Sequence, residues 1–219
     1  MTVDLRLYGI VGGGIPADPV EGARLAAMGG ATLIQYRDKT AGGREMAATA
    51  RAIRGALAAT DVPLIVNDRV DVAAAAGAGI HLGQEDLLPQ DARAILGPDA
   101  IIGLTIKNSR HVAEAPLDVI DYAAVGGVFA TTSKDNPDPP VGLDGLKALC
   151  AALRARRPGL PIVAIAGIGA ENASPVIEAG ADGVSVISAI FAKSDIALAA
   201  GKLRRIVDAA LEASGRARP

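Results

Sequence analysis

The 219-residue chain sets 22 Lys and Arg against 24 Asp and Glu, for a formal net charge of −2. That balance gives bulk attraction to neither nucleic acid nor an anionic membrane surface. Half of the residues are hydrophobic but only 2% are aromatic, so Ala, Val, Ile and Leu must build the core, as suits parallel strands buried on both faces.

In chain order, the apolar run "LRLYGIV" is followed by a helical pattern at Pro19–Met28, and "ATLIQYR" by one at Gly43–Ala58. "PLIVN", "GIHL" and "AIIGLT" come next, the first two trailed by the helix-like "RVDVAAAA" and "LPQDARAIL". "DYAAVGGVF" leads to a helix at Asp144–Ala155, "PIVAIAG" to one at Glu171–Glu178, and "GVSVIS" to one at Asp195–Ala213. Short strands alternating with helices predict parallel βαβ units, and eight strands are the number that closes a barrel. The expected fold class is α/β, a single-domain TIM (β/α)8 barrel with short loops. It spans residues 1–213, with 214–219 as a frayed tail. Spacing alone leaves an open doubly wound sheet as the alternative.

Cys150 is the only cysteine, which excludes an internal disulfide and a cysteine-built zinc site. It sits in the helical "LKALCAALR" and reads as a small core residue. The start, "MTVDLRLYGIVGGG", has an early Asp and too short an apolar run for a secretory leader. No run approaches the ~18 apolar residues that span a bilayer. The expectation is a cytoplasmic protein acting on small molecules, with no nucleic acid or membrane partner; a homo-oligomer is left open.

Ligands of parallel α/β folds bind at the C-terminal ends of the strands, so the residues at each strand end are the candidates for chemistry. "QYRDK" closes the second run, and a two-residue period places Gln35, Arg37 and Lys39 on a common face. The plain alternative is a solvated loop. The third run ends at Asn67 and Asp68 and the fourth at "GQED", which carries Asp86. Asp68 could cap the helix that follows, and Asp86 could be a loop acid. Strands joined by one short crossover are usually neighbours, ~4.8 Å apart. Two carboxylates at such ends repel unless a cation lies between them, and few carboxylates plus water and ligand oxygens is how Mg²⁺ is held.

Thr105 ends the fifth run. Thr131, Thr132, Ser133 and Lys134 follow the sixth, offering hydroxyls and a charge where a phosphate site needs them. Gly167 and Ser188 end the seventh and eighth, where barrels often bind phosphate. Gly167-Ile168-Gly169 is no dinucleotide fingerprint, because Asn172 replaces its third glycine. His81, within "GIHLG", and His111 are assigned no role. The inventory could neutralise a pyrophosphate with Arg37, Lys39, Lys134 and a bound cation, and could hold a second, smaller phosphate. That suits a transferase from which pyrophosphate leaves.

"LIQYRDK", "VNDRVDVAAAAGAGIHLGQEDL", "IIGLT", "VFATTSKD" and "AIAGIGAENASPVIEAGADGVSVISAI" together resemble the thiamine phosphate synthase family over nearly the whole chain. The resemblance implies a TIM barrel that joins hydroxymethylpyrimidine diphosphate to a thiazole phosphate with Mg²⁺, giving thiamine phosphate and pyrophosphate. It implies that Gln35 contacts the pyrimidine and that Arg37, Lys39, Asn67 and Lys134 hold the pyrophosphate. Asp68 and Asp86 match the Mg²⁺ carboxylates, and Thr105 matches a residue near the reacting centre. Thr131, Thr132 and Ser133, with Gly167, Ile187 and Ser188, match positions around the thiazole phosphate. The Pro-rich stretch 135–141 is expected to close over the mouth.

The chain departs from the family pattern at a few positions. Ala166 stands for a usual Gly, Gly127 and Ala130 for frequent prolines, Ser133 for a common Thr, and Lys107 for a frequent His. None removes a charge that the chemistry needs. The competing functions are a thiazole tautomerase-like barrel, a non-catalytic barrel that binds thiazole phosphate, and another phosphate-binding barrel such as those of tryptophan synthesis.

Overall fold

The computed structural model describes residues 3–131 and 139–216. Strands β1 (Leu7–Val11), β2 (Leu33–Tyr36), β3 (Leu64–Asn67) and β4 (Gly79–Leu82) alternate with α1 (Pro19–Met28), α2 (Gly43–Leu57), α3 (Val70–Ala76) and α4 (Pro89–Leu96). Then come β5 (Ile102–Ile106), α5 (Ser109–Glu114), β6 (Tyr122–Gly126), α6 (Gly142–Arg156), β7 (Ile162–Ile165), α7 (Ala173–Glu178) and β8 (Gly183–Val186). The short α8 (Ser188–Phe191) and the long α9 (Ile196–Ala213) follow. Every strand is parallel to its neighbours, and β8 returns to β1 to close the barrel in sequence order. The open-sheet alternative is thereby removed.

The strand period sorts side chains into two cores. Tyr8, Leu33, Ile65, Tyr122, Ala124 and Val163 fill the barrel interior. Leu7, Val11, Ile34, Val66, Ile80 and Leu82 point outward into the layer under the helices. Burial on both faces is why these strands read as continuous apolar runs. Helix α9 shows the complementary logic, burying Ile196, Ala200, Leu203, Val207 and Leu211 along one stripe. Among the described residues, no helix is long and apolar enough to cross a membrane.

Helix ends follow from local chemistry. Asp18 accepts N–H bonds from Val20 and Glu21 at 3.0 and 2.8 Å, with Pro19 opening α1 behind it. Asp195 caps α9 rather than belonging to it. The helix expected from Glu171 starts at Ala173, because Asn172 is used to brace the preceding glycine loop. Its Oδ1 accepts from Gly169 N–H at 2.8 Å, and its amide donates to the Gly167 carbonyl at 2.9 Å.

The N-terminal face is latched in a repeated way. Asp121, just before β6, accepts from Ile102 N–H and from Arg93, both at 2.8 Å. Asp182, just before β8, accepts from Ile162 N–H at 2.8 Å and from Arg154. In both, one acid ties the start of the preceding strand to an arginine of an outer helix. Beyond α9, Arg216 reaches the carbonyls of Ala181 and Ile177.

Candidate active site

The C-terminal ends of the strands open on one mouth. Gln35, the third residue of β2, points into the barrel and is only 2% exposed. Its Nε2 donates to the Tyr8 hydroxyl at 2.5 Å. The Tyr8 and Tyr122 hydroxyls lie 2.8 Å apart, with the rings edge to face. The Tyr122 hydroxyl is 2.9 Å from His81 Nδ1, and His81 Nε2 is 2.8 Å from Thr105 Oγ1. Gln35 and Thr105 therefore sit at two ends of one buried hydrogen-bonded chain.

Beyond β2 the chain divides its charges. Arg37 lines a small pocket of about 90 Å³ with Gly13, Ile15, Ile187 and Ser188. Asp38 folds onto its own loop, accepting from Thr40 N–H at 2.8 Å and Ala41 N–H at 3.0 Å, which lowers its pKa through those backbone bonds. Lys39 crosses to β3 and pairs with the Asp68 carboxylate.

Asp68 is not a helix cap. The cap position of α3 belongs to Arg69, and the Asp68 carboxylate goes to Lys39. Asp68 instead adopts a left-handed φ of 60°, a conformation that Asp tolerates better than most residues. Its N–H donates to the His81 carbonyl at 2.9 Å, which fastens it to β4. Asp86 returns toward the same strand, with its Oδ2 accepting from Gly83 N–H at 2.6 Å. Burial raises the Asp86 pKa, and the neighbouring Asp68 carboxyl raises it further. The Gly83 bond and the Lys39 charge work against both. An Asp86 carboxyl hydrogen-bonded to the Asp68 carboxyl forms a place for a shared proton or a cation. Among the described residues no third His, Cys, Asp or Glu joins them. The pair fits Mg²⁺, which takes one or two carboxylates and completes its shell with water and phosphate oxygens. Asn67, 9% exposed, ends β3 beside them.

On the opposite side, a cavity of about 950 Å³ is lined by Thr131, Ala166, Gly167, Ser185, Ile187 and Ser188. Ile187 and Ser188 also line the pocket that holds Arg37, so the two spaces adjoin. Ala166 and Gly167 take positive φ values of 85° and 66°, which turns the chain sharply as it leaves β7. A Cβ at Gly167 would lie 2.5 Å from the Ala130 carbonyl oxygen, so only glycine lets the two loops touch. Thr132, Ser133 and Lys134, and most of the Pro-rich stretch expected to close over the mouth, lie outside the described residues.

Tyr8 and Tyr122 are not among the residues expected at the site, and His81 carries no expected role, yet all three join the chain between Gln35 and Thr105. Their signal was present in the strand period, since Tyr8 and Tyr122 fall on the inward face with Leu33 and Ile65, and His81 lies between the outward Ile80 and Leu82. His81 in an apolar run is satisfied, and the groups that satisfy it belong to the mouth. His111 stays local: its N–H donates to Asn108 Oδ1 at 2.9 Å, within the cap of α5.

Comparison with known proteins agrees with this geometry. The family model described as thiamine monophosphate synthase matches residues 7–190. A thiamine-phosphate synthase of Agrobacterium fabrum is 51% identical over 214 residues, covering 96% of this chain and 97% of that one. Another, of Moorella thermoacetica, is 46% identical over 90% of this chain and 91% of its own. A solved thiamine phosphate pyrophosphorylase from Pyrococcus furiosus superposes with a TM-score of 0.84 at 37% identity, covering 95% of this chain and 98% of that one. With a family match across most of the barrel and relatives this similar end to end, the chain belongs to the thiamine monophosphate synthase family.

Proposed function

We propose that the chain joins hydroxymethylpyrimidine diphosphate to a thiazole phosphate, releasing thiamine phosphate and pyrophosphate. The observation that carries this is the Asp68–Asp86 pair with Lys39 at the ends of β2, β3 and β4, across the barrel from the glycine-turned loop at Gly167. It supplies charge for a pyrophosphate on one side and backbone donors for a phosphate on the other.

In this reading Gln35 holds the pyrimidine ring, and Arg37, Lys39, Asn67 and Lys134 hold the diphosphate. Asp68 and Asp86 would hold Mg²⁺, whose charge offsets that developing on the departing pyrophosphate. Thr131, Thr132, Ser133, Gly167, Ile187 and Ser188 surround the thiazole phosphate, and Thr105 faces the reacting centre. The bond between the pyrimidine's methylene carbon and the diphosphate oxygen breaks, and its electron pair leaves with pyrophosphate. The electron-rich aminopyrimidine supports the resulting cation, and the thiazole nitrogen's lone pair forms the new carbon–nitrogen bond. No general base is needed. The protein's task is positioning and preorganised charge.

Lys39 and the two acids also argue against the thiazole tautomerase-like and purely binding alternatives, which have no use for a diphosphate clamp. The test is direct: purified protein, Mg²⁺ and both substrates should give thiamine phosphate. Absence of product at saturating substrate would overturn the reading.

A further inference from the structure

The chain from Gln35 to Thr105 takes its direction from the Gln35 amide, whose nitrogen faces Tyr8. Gln35 Nε2 donates to the Tyr8 oxygen, which leaves the single Tyr8 proton free to run on to Tyr122. Tyr122 then gives its proton to His81 Nδ1, which makes His81 the neutral tautomer carrying its hydrogen on Nε2. That hydrogen goes to Thr105 Oγ1, so Thr105 keeps its own proton to offer. Each group donates once. At the far end, the Gln35 amide is left with its carbonyl oxygen and one N–H.

We infer that Tyr8, Tyr122 and His81 are positioning residues that lock which way round the Gln35 amide and the Thr105 hydroxyl face the mouth, and so decide the donor–acceptor pattern a substrate ring must carry. An unrestrained glutamine amide can rotate by half a turn and read either of two patterns, because its oxygen and nitrogen ends exchange. One pattern is an amino group beside a bare ring nitrogen. The other is a carbonyl beside a ring N–H. A locked amide reads one of them, and a mismatch buries unpaired polar groups, which is how hydrogen-bonding sites reject close analogues. Resting on the function proposed above, the locked pattern is the one that takes the 4-amino pyrimidine and rejects its 4-oxo counterpart.

The rest of the barrel interior is shaped for this relay. A Cβ at Gly103 would lie 2.0 Å from Tyr122 Cζ and 2.4 Å from its oxygen, so β5 leaves room for that ring. His81 stacks on the other side of Tyr122, with ring centroids 5.6 Å apart. Burial raises the pKa of both phenols, so both keep the protons that the relay needs.

Only two histidines occur in the chain, so ¹⁵N-histidine NMR resolves the relay, with His111→Gln assigning the signals. The expected wild-type spectrum shows neutral His81 protonated on Nε2; an Nδ1-protonated ring would overturn the inference. Tyr122→Phe should lose that signature and Tyr8→Phe should keep it, since Tyr8 lies on the Gln35 side. Both should lower the ratio of kcat/KM for 4-amino over 4-oxo pyrimidine diphosphate by roughly tenfold or more, while the KM for thiazole phosphate stays within about twofold. An unchanged ratio in both variants would overturn the inference. The wild-type tautomer requires no variant to fold and no turnover. If the wild type makes no product, the proposed function fails, and the spectrum still decides the relay.

Discussion

Lys39 and Asp68 lie 29 residues apart in sequence and form an ion pair across the ends of β2 and β3. The same Asp68 carboxyl helps to hold the Asp86 proton affinity high. Three side chains from three successive strand ends thus share one electrostatic problem, which a bound divalent cation and a diphosphate would resolve together.

Asp68→Asn and Asp86→Asn should each raise the Mg²⁺ concentration needed for half-maximal turnover by roughly tenfold or more, with the thermal midpoint little changed. Asn suits position 68 because it also tolerates the left-handed φ of 60°. Magnesium titrations with circular dichroism controls decide this. Full turnover at limiting Mg²⁺ in either variant would return that acid to a loop role.

The barrel was legible because its strands are buried on both faces, so eight apolar runs stand out between Ala-rich helices. Asp68 and Asp86 were legible only as two alternatives each, because local sequence cannot tell a cap from a ligand. The left-handed turn and the bond to the His81 carbonyl, which set Asp68 apart from a helix cap, depend on β3 lying beside β4. The tie of His81 to the site is illegible in sequence for the same reason. Its partners, Tyr122 and Thr105, are 41 and 24 residues distant and meet it only once the barrel closes.

Neighbouring positions in the loop after β7 should respond with opposite signs. Ala166 holds φ at +85°, an alanine conformation that costs of order 1–3 kcal/mol. Ala166→Gly should therefore gain about 1 kcal/mol, even after the extra unfolded-state entropy of glycine. Gly167→Ala should lose more than about 1 kcal/mol, because its Cβ would lie 2.5 Å from the Ala130 carbonyl oxygen and 2.7 Å from Phe129 Cβ. Urea midpoints with constant slopes give both signs.

The latch at Asp182 lies at the end of the barrel away from the mouth. Asp182→Ala removes acceptors for Ile162 N–H and Arg154, and should cost about 2 kcal/mol of stability. kcat and KM measured well below the melting transition should stay within about twofold of wild type. A large loss of turnover without a loss of stability would contradict this division between the two ends.

Cys150 is buried on the core face of α6, and burial pushes its thiol pKa up to about 11. At pH 8 the folded protein should resist a disulfide reagent for hours and react completely once denatured. Rapid modification of the native chain would show that this part of the helix layer opens.

One mouth joining two substrates should release its two products together. The most direct measurement follows pyrophosphate release and thiamine phosphate formation together, with Mg²⁺ present and each substrate omitted in turn. The account predicts equal amounts of the two products, and turnover only when both substrates are present. Pyrophosphate released at the same rate without thiazole phosphate, or no thiamine phosphate with both substrates at saturation, would contradict it.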